Sequence, residues 1–246
     1  QRKSKDDVLD LSPLPHWLEQ DGRCAAAMAL DGGEMAALGV ALPPALDRAV
    51  AKRRGEYRAG RTCARRAMQR LSPAPAAANI DASEWPEFGP DRAPVWPTGV
   101  TGSLTHSAAV ALCVAGPARQ FAGLGIDIEL PVPAQEGRRL APRIYCPSEF
   151  EPLAGTDWAE VGFTLLFSSK EAIYKAIYPT VQRFVDFHQA RLLSLSGDKL
   201  VFALSDELSQ QLGHQHRLYV RAARWQGHIL TFCALAARGT DANTGP

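Results

Sequence analysis

Apolar residues return at helical spacing in two long stretches and at alternate positions in several shorter ones. From about Pro44 to Leu71, the residues Leu46, Val50, Tyr57, Cys63, Ala64, Ala67 and Leu71 recur at roughly helical intervals with arginines between them. This predicts an amphipathic helix opened by Pro43-Pro44 and stopped by Ser72-Pro73. A second long helix is predicted over Asp157 to Tyr178, with Trp158, Val161, Leu165, Ala172, Ile173, Ala176 and Ile177 as its apolar stripe and Pro179 as its end. Short apolar runs predict strands at Cys24–Leu30, Ala108–Ala115 and Phe121–Leu130. Two hairpins are expected after the second helix, Arg191–Ser205 turning at Gly197-Asp198 and Leu218–Ala236 turning at Gln226-Gly227. Residues 1–22 read as a loose arm, 72–100 as a long irregular connection carrying six prolines, and 131–155 as loop with a short helix around Ser148–Phe150. The order strand, helix, strands occurs twice, so the pattern describes an α/β chain in two halves with a break near residues 116–122.

Composition adds little until it is read by position. The chain of 246 residues is 46% hydrophobic and 22% charged, an ordinary globular mixture with a formal net charge of +1. That total argues against a histone-like or acidic-tail protein. Between Arg48 and Arg70, however, nine basic residues face a single acidic one, Glu56. Five scattered cysteines without a CxxC pair indicate neither a disulfide framework nor a zinc knuckle, and point to a reducing cytoplasm. The longest stretch free of Asp, Glu, Lys and Arg, Ala93–Ala118, is broken by three prolines, three glycines and a histidine, so no membrane span is expected. No apolar stretch follows Gln1–Lys5, so the N-terminus does not read as a signal peptide.

Four segments carry candidate chemistry. In Phe121-Ala-Gly-Leu-Gly-Ile-Asp-Ile-Glu-Leu130, strand alternation puts Leu124, Ile126, Ile128 and Leu130 on one face and Gly123, Gly125, Asp127 and Glu129 on the other. Two carboxylates about 4 Å apart repel by about 4 kcal/mol near a protein surface, which a hard cation such as Mg²⁺ would offset. The alternative is an exposed acidic strand end. In Phe167-Ser-Ser-Lys-Glu-Ala-Ile-Tyr-Lys175, Glu171 and Lys175 are one helical turn apart: a surface ion pair, or a third metal-facing carboxylate with a cation over a phosphate. Thr101-Gly-Ser-Leu-Thr-His-Ser107 reads as a small-residue turn suited to an anion, although His106 alone fits a structural role as well. The basic helix, with Arg53, Arg54, Arg58, Arg61 and Arg65, is either a solvated face or a phosphate-binding one. A phosphate ester handled with Mg²⁺ joins all four.

The chain resembles the 4′-phosphopantetheinyl transferases of the Sfp type, nearest the EntD/PcpS-like branch. The resemblance rests on Lys52–Arg61, Asp91–Pro97, Gly102–Ser107, Gly125-Ile-Asp-Ile-Glu129 and Phe167–Pro179, which occur in the family's order. It implies an α/β (α+β) pseudo-dimeric fold, two similar halves each with a long helix on a small, largely antiparallel sheet, and coenzyme A in the cleft between them. It divides the chain into an arm (1–22), a half holding the phosphate-binding helix (23–118) and a half holding the metal site (119–246). The implied reaction is transfer of the 4′-phosphopantetheine arm of coenzyme A to a serine of an acyl, peptidyl or aryl carrier protein, with release of adenosine 3′,5′-bisphosphate. Asp127, Glu129 and Glu171 would hold Mg²⁺ or Mn²⁺, Glu171 or a metal-bound water would take the serine proton, and Lys175 would neutralise developing charge. Arg53, Arg61 and His106 would grip a phosphate, Arg92 and Thr105 would border the adenosine phosphate, and Glu149 would add an acid near the site. A cytoplasmic monomer serving fatty-acid, siderophore, polyketide or nonribosomal peptide synthesis is the expectation, with neither nucleic acid nor membrane as partner. The competing readings are a Mg²⁺-dependent pyrophosphatase acting on coenzyme A or a nucleotide, and a nucleic-acid-binding module, which leaves the three carboxylates unexplained.

Overall fold

Where the chain's alternation and its helical spacing meet, small residues decide which element lies on which. The computed structural model describes residues 11, 13–30, 39–71, 86–89, 93–107 and 109–237, and the chain divides between Arg119 and Gln120 into two units. The first unit holds β1 (Cys24–Ala29), α1 (Ala51–Leu71), the two-residue strands β2 (Glu87–Phe88) and β3 (Pro94–Val95), β4 (Val100–Ser107) and β5 (Val110–Pro117). β1, β5 and β4 form an antiparallel sheet in that order. α1 lies on one face of it through Ala59, Cys63, Ala64, Ala67 and Met68, against Met28, Val100, Ala111, Cys113 and Ala115. Small side chains line both partners, and Cys63 Sγ donates to the Ala111 carbonyl at 3.4 Å.

Three expectations for this unit change. The long helix begins at Ala51, because Pro44–Leu46 forms a separate 3-10 turn. Its bonds, Leu46 to Pro43 and Asp47 to Pro44, skip only three residues, and the α pattern starts afresh with Arg54 N–H donating to the Val50 carbonyl. The Thr101–Ser107 segment is a strand rather than a turn; Thr101, Ser103 and Thr105 are buried on one face while Gly102 and Leu104 meet Trp96 and α1 on the other. Small polar residues resemble turn formers in a sequence, but here they alternate. Part of the expected loose arm is packed: a 3-10 turn at His16–Glu19 buries Trp17 and Leu18, and Arg23 Nη2 donates to the Trp17 carbonyl at 2.9 Å.

The second unit comprises β6 (Phe121–Glu129), α2 (Ala134–Leu140), α3 (Gly162–Val181), β7 (Ala190–Ser196), β8 (Lys199–Leu204), α4 (Asp206–Gln211), β9 (Arg217–Trp225) and β10 (His228–Ala236). Its five strands are antiparallel in the order β6-β10-β9-β8-β7, and both expected hairpins are present. Leu165, Ala172, Ile173, Ala176 and Ile177 of α3 form a core with Leu200, Phe202, Val220, Ile229 and Cys233 of the sheet. Two short helices escape periodicity: α2 starts directly after Pro133, and α4 is capped by Ser205 Oγ accepting the Leu208 N–H. Pro179 does not end α3. It sits in the last turn, where its missing N–H forfeits one backbone bond, and the helix closes three residues later at Gln182 with φ 48°. Each unit therefore places a long helix on an antiparallel sheet, the α/β arrangement expected from the pattern.

Candidate active site

The acidic strand face is the face that carries α3. A Cβ added at Gly123 would collide with the Ala176 carbonyl, and one added at Gly125 with the Ala172 carbonyl. Only glycine lets the helix backbone lie directly on the strand. Two strand residues rise about 6.7 Å and four helical residues about 6 Å, so the steps stay nearly in phase. The next strand residue on this face is Asp127, and the next helix turn brings Ser168. Thr231, the register partner of Asp127 on β10, shares a hydrogen bond with Ser168 Oγ at 2.8 Å and donates to its carbonyl at 2.9 Å. The helix is thereby pinned along the strand, with Asp127 beneath it.

That placement brings Lys175 to the acids. Its Nζ donates to Asp127 Oδ1 at 2.7 Å and to the Ile126 carbonyl at 3.0 Å, and its side chain keeps 27% exposure while that of Asp127 keeps 6%. Burial pushes the Glu129 carboxyl up to about 7, helped by the charges of Asp127 and Glu171 and opposed by Lys175. Glu171 is also raised, first by burial, with Lys175 pulling it down and Asp127 pushing it up. Asp127, Glu129 and Glu171 thus feel one another, and the Lys175 ammonium supplies the compensating charge. Three carboxylates are the donor chemistry of a hard divalent cation. Among the described residues no group of three or more His, Cys, Asp or Glu stands arranged to hold a metal ion, and Lys175 occupies Asp127 Oδ1.

The other lysine of the KExxxK segment is a residue that sequence reasoning missed. Lys170 is 2% exposed and its Nζ donates to the Ile144 carbonyl at 2.9 Å, to Glu149 Oε1 at 3.0 Å and to the Phe187 carbonyl at 3.1 Å. Glu149, equally buried, accepts from the Cys146 and Leu192 N–H groups at 2.9 and 2.8 Å. The expectation of Glu149 as a further acid of the site is corrected: both its oxygens are committed to this buried network. Burial lowers the Lys170 pKa while Glu149 opposes the shift. A lysine beside the motif glutamate was the available signal, but its partner lies 21 residues away in sequence.

In the first unit the structure brings Arg53 and His106 together, with Arg53 Nη1 3.2 Å from His106 Nε2. A guanidinium only donates, so Nε2 accepts in this geometry. Glu56, unassigned from sequence, lies 3.5 Å from Arg53 and 3.7 Å from His106 Nε2 and offsets part of the Arg53 charge. Arg61 is buried rather than solvated; its guanidinium lies 4.6 Å from the Tyr57 ring centre and burial lowers its pKa. Thr105 projects from the face of β4 opposite His106. Arg58 is tied to the Val40 carbonyl at 3.3 Å. Arg92 lies outside the described residues.

Comparison with known proteins gives this geometry a family. The model of the 4′-phosphopantetheinyl transferase N-terminal domain matches residues 42–116, and that of the 4′-phosphopantetheinyl transferase superfamily matches residues 123–233. The 4′-phosphopantetheinyl transferase Svp of Streptomyces mobaraensis is 34% identical over 202 residues, covering 77% of this chain and 75% of that protein. The chain belongs to the 4′-phosphopantetheinyl transferase superfamily. It is also 35% identical to the transferase Npt of Nocardia iowensis over 59% of this chain. Enterobactin synthase component D of Salmonella typhi is 32% identical over a similar share, in keeping with the EntD-like branch. The matches span 61% of the length of the Nocardia protein and 56% of that of the Salmonella protein. Both family matches contain the residues just described: Arg53, Glu56 and His106 in the first, Asp127, Glu129, Glu149, Lys170, Glu171 and Lys175 in the second. No helix among the described residues is long and apolar enough to cross a membrane.

Proposed function

We propose that this chain transfers the 4′-phosphopantetheine arm of coenzyme A to a serine of an apo carrier protein, in a Mg²⁺-dependent reaction that releases adenosine 3′,5′-bisphosphate. The observation that carries the proposal is the Asp127–Lys175 contact of 2.7 Å beneath α3, next to Glu129 and Glu171. It gathers acids and a cation on one strand–helix seat in a member of this superfamily. Asp127, Glu129 and Glu171 would hold the metal ion, and Mn²⁺ fits the same oxygen donors. When bound, the ion neutralises charge on the pyrophosphate of coenzyme A.

The serine oxygen attacks the phosphorus that bears the pantetheine arm, the bond from that phosphorus to the bridging oxygen breaks, and adenosine 3′,5′-bisphosphate leaves with the bridging oxygen. Glu171, or a water beside it, would take the serine proton. Lys175 lies within reach of Asp127 and, once released from it, offers its ammonium to the leaving oxygens. Arg53 and His106 present a cation and an imidazole side by side for a phosphate of coenzyme A. The monomeric state and a cytoplasmic setting belong to the same proposal. Free cysteines at 24, 63, 113, 146 and 233 are compatible with a reducing compartment.

The test is the product. Incubated with coenzyme A, Mg²⁺ and a panel of apo carrier proteins, the chain is expected to add one phosphopantetheinyl group to the carrier serine, read by mass spectrometry, with adenosine 3′,5′-bisphosphate in solution. Free phosphopantetheine with unmodified carriers throughout would instead indicate hydrolysis of coenzyme A.

A further inference from the structure

The seat that brings α3 onto β6 is smooth. At Gly123 and Gly125 the strand offers backbone alone, so it has no side-chain knob there to stop α3 from sliding or turning about its axis. The angle at which Glu171 leaves the helix is therefore set by contacts elsewhere on α3, among them the packing of Leu165, Ile173 and Ile177 on the sheet. Ser168 and Thr231 hold the helix on its sheet side. On another side, Lys170 reaches out to two separate stretches of chain, accepting partners at Ile144 and Glu149 in one and at Phe187 in the other. Glu149 binds those stretches together through the Cys146 and Leu192 N–H groups. Lys170 and Glu149 are 2% and 1% exposed and share five hydrogen bonds with their surroundings and each other.

We infer that Lys170 and Glu149 are positioning residues for the proposed transfer: their buried network clamps one side of α3 and thereby fixes the direction of the adjacent Glu171 carboxylate. The inference rests on the reading of Glu171 as the base and metal ligand. A buried ion pair also costs desolvation that an apolar pair of similar size avoids, which fits a pair kept for geometry more than for stability. Misplacing a reacting group by about 1 Å is enough to cost about 100-fold in rate.

The test uses the full chain with Glu149→Gln and with the double variant Lys170→Met, Glu149→Leu, which removes both charges together and leaves neither uncompensated. Three readouts are followed: thermal unfolding, amide hydrogen exchange along 168–175, and kcat and KM in the carrier assay. The expected result is that the double variant folds, exchange in 168–175 quickens at least about tenfold while β9–β10 keeps its protection, and kcat falls about 10–100-fold with KM for coenzyme A within about threefold. Wild-type exchange and kcat in both variants would overturn the inference, as would a raised KM with unchanged kcat, or a chain that fails to fold in both variants and so needs the pair for folding itself. If the wild type does not modify any carrier, the functional reading falls, and the exchange readout still decides whether the pair fixes this part of α3.

Discussion

The two units seat their long helices at different depths. In the first, small side chains line both partners: Ala59, Cys63, Ala64 and Ala67 of α1 meet Ala111, Cys113 and Ala115 of β5. In the second the strand has no side chain at the seat: Gly123 and Gly125 admit the backbone of α3 itself at Ala176 and Ala172. The choice governs what lies beside the seat. A slim helix leaves its remaining positions for arginines, and Arg53 meets His106 at its half-exposed start. A bare strand brings its next outward residues, Asp127 and Glu129, under a helix that carries Glu171 and Lys175.

Gly125→Ala attacks the second seat directly. Its methyl group meets backbone that cannot give way, and we expect a loss of about 3 kcal/mol or more, read as a lower midpoint in urea unfolding. Lys175→Met tests the charge gathered by that seat. It should lower kcat about 100-fold and move KM for coenzyme A little; the reverse split would make Lys175 a binding residue. Arg53→Ala tests the first unit, where the cation is half-exposed and is proposed to bind a phosphate. An approximately tenfold rise in KM for coenzyme A at nearly constant kcat is expected, corresponding to about 1.4 kcal/mol. Gly60→Ala is the mildest change and the sharpest contrast with Gly125→Ala. The added methyl would lie 3.8 Å from Leu104 Cδ2, an ordinary contact, so helix propensity should dominate and raise stability by about 0.5–1 kcal/mol.

Much of the second seat was legible because it is local. Strand alternation alone put Gly123, Gly125, Asp127 and Glu129 on one face, and the spacing of Glu171 and Lys175 put both on one helix. The reason for the glycines was not legible, since nothing local says that a helix will lie on them. The first unit was read less well. Thr101, Ser103 and Thr105 alternate in burial, but their short polar side chains conceal a period that Val or Ile would have displayed. Arg61 reads as part of a solvated or phosphate-binding face, and nothing in the spacing says that it is buried against Tyr57. Glu149 and Lys170 meet only through the fold, across 21 residues of chain.

The proposed function requires the Asp127 carboxylate held beneath α3. Asp127→Asn keeps the shape of the side chain and removes its charge. Assayed beside the wild type with coenzyme A, Mg²⁺ and an apo carrier protein, it should show native circular dichroism and a carrier mass that stays unmodified over a time in which the wild type reaches completion, a loss of about 1,000-fold or more. A folded Asp127→Asn chain that modifies the carrier at the wild-type rate would contradict the account.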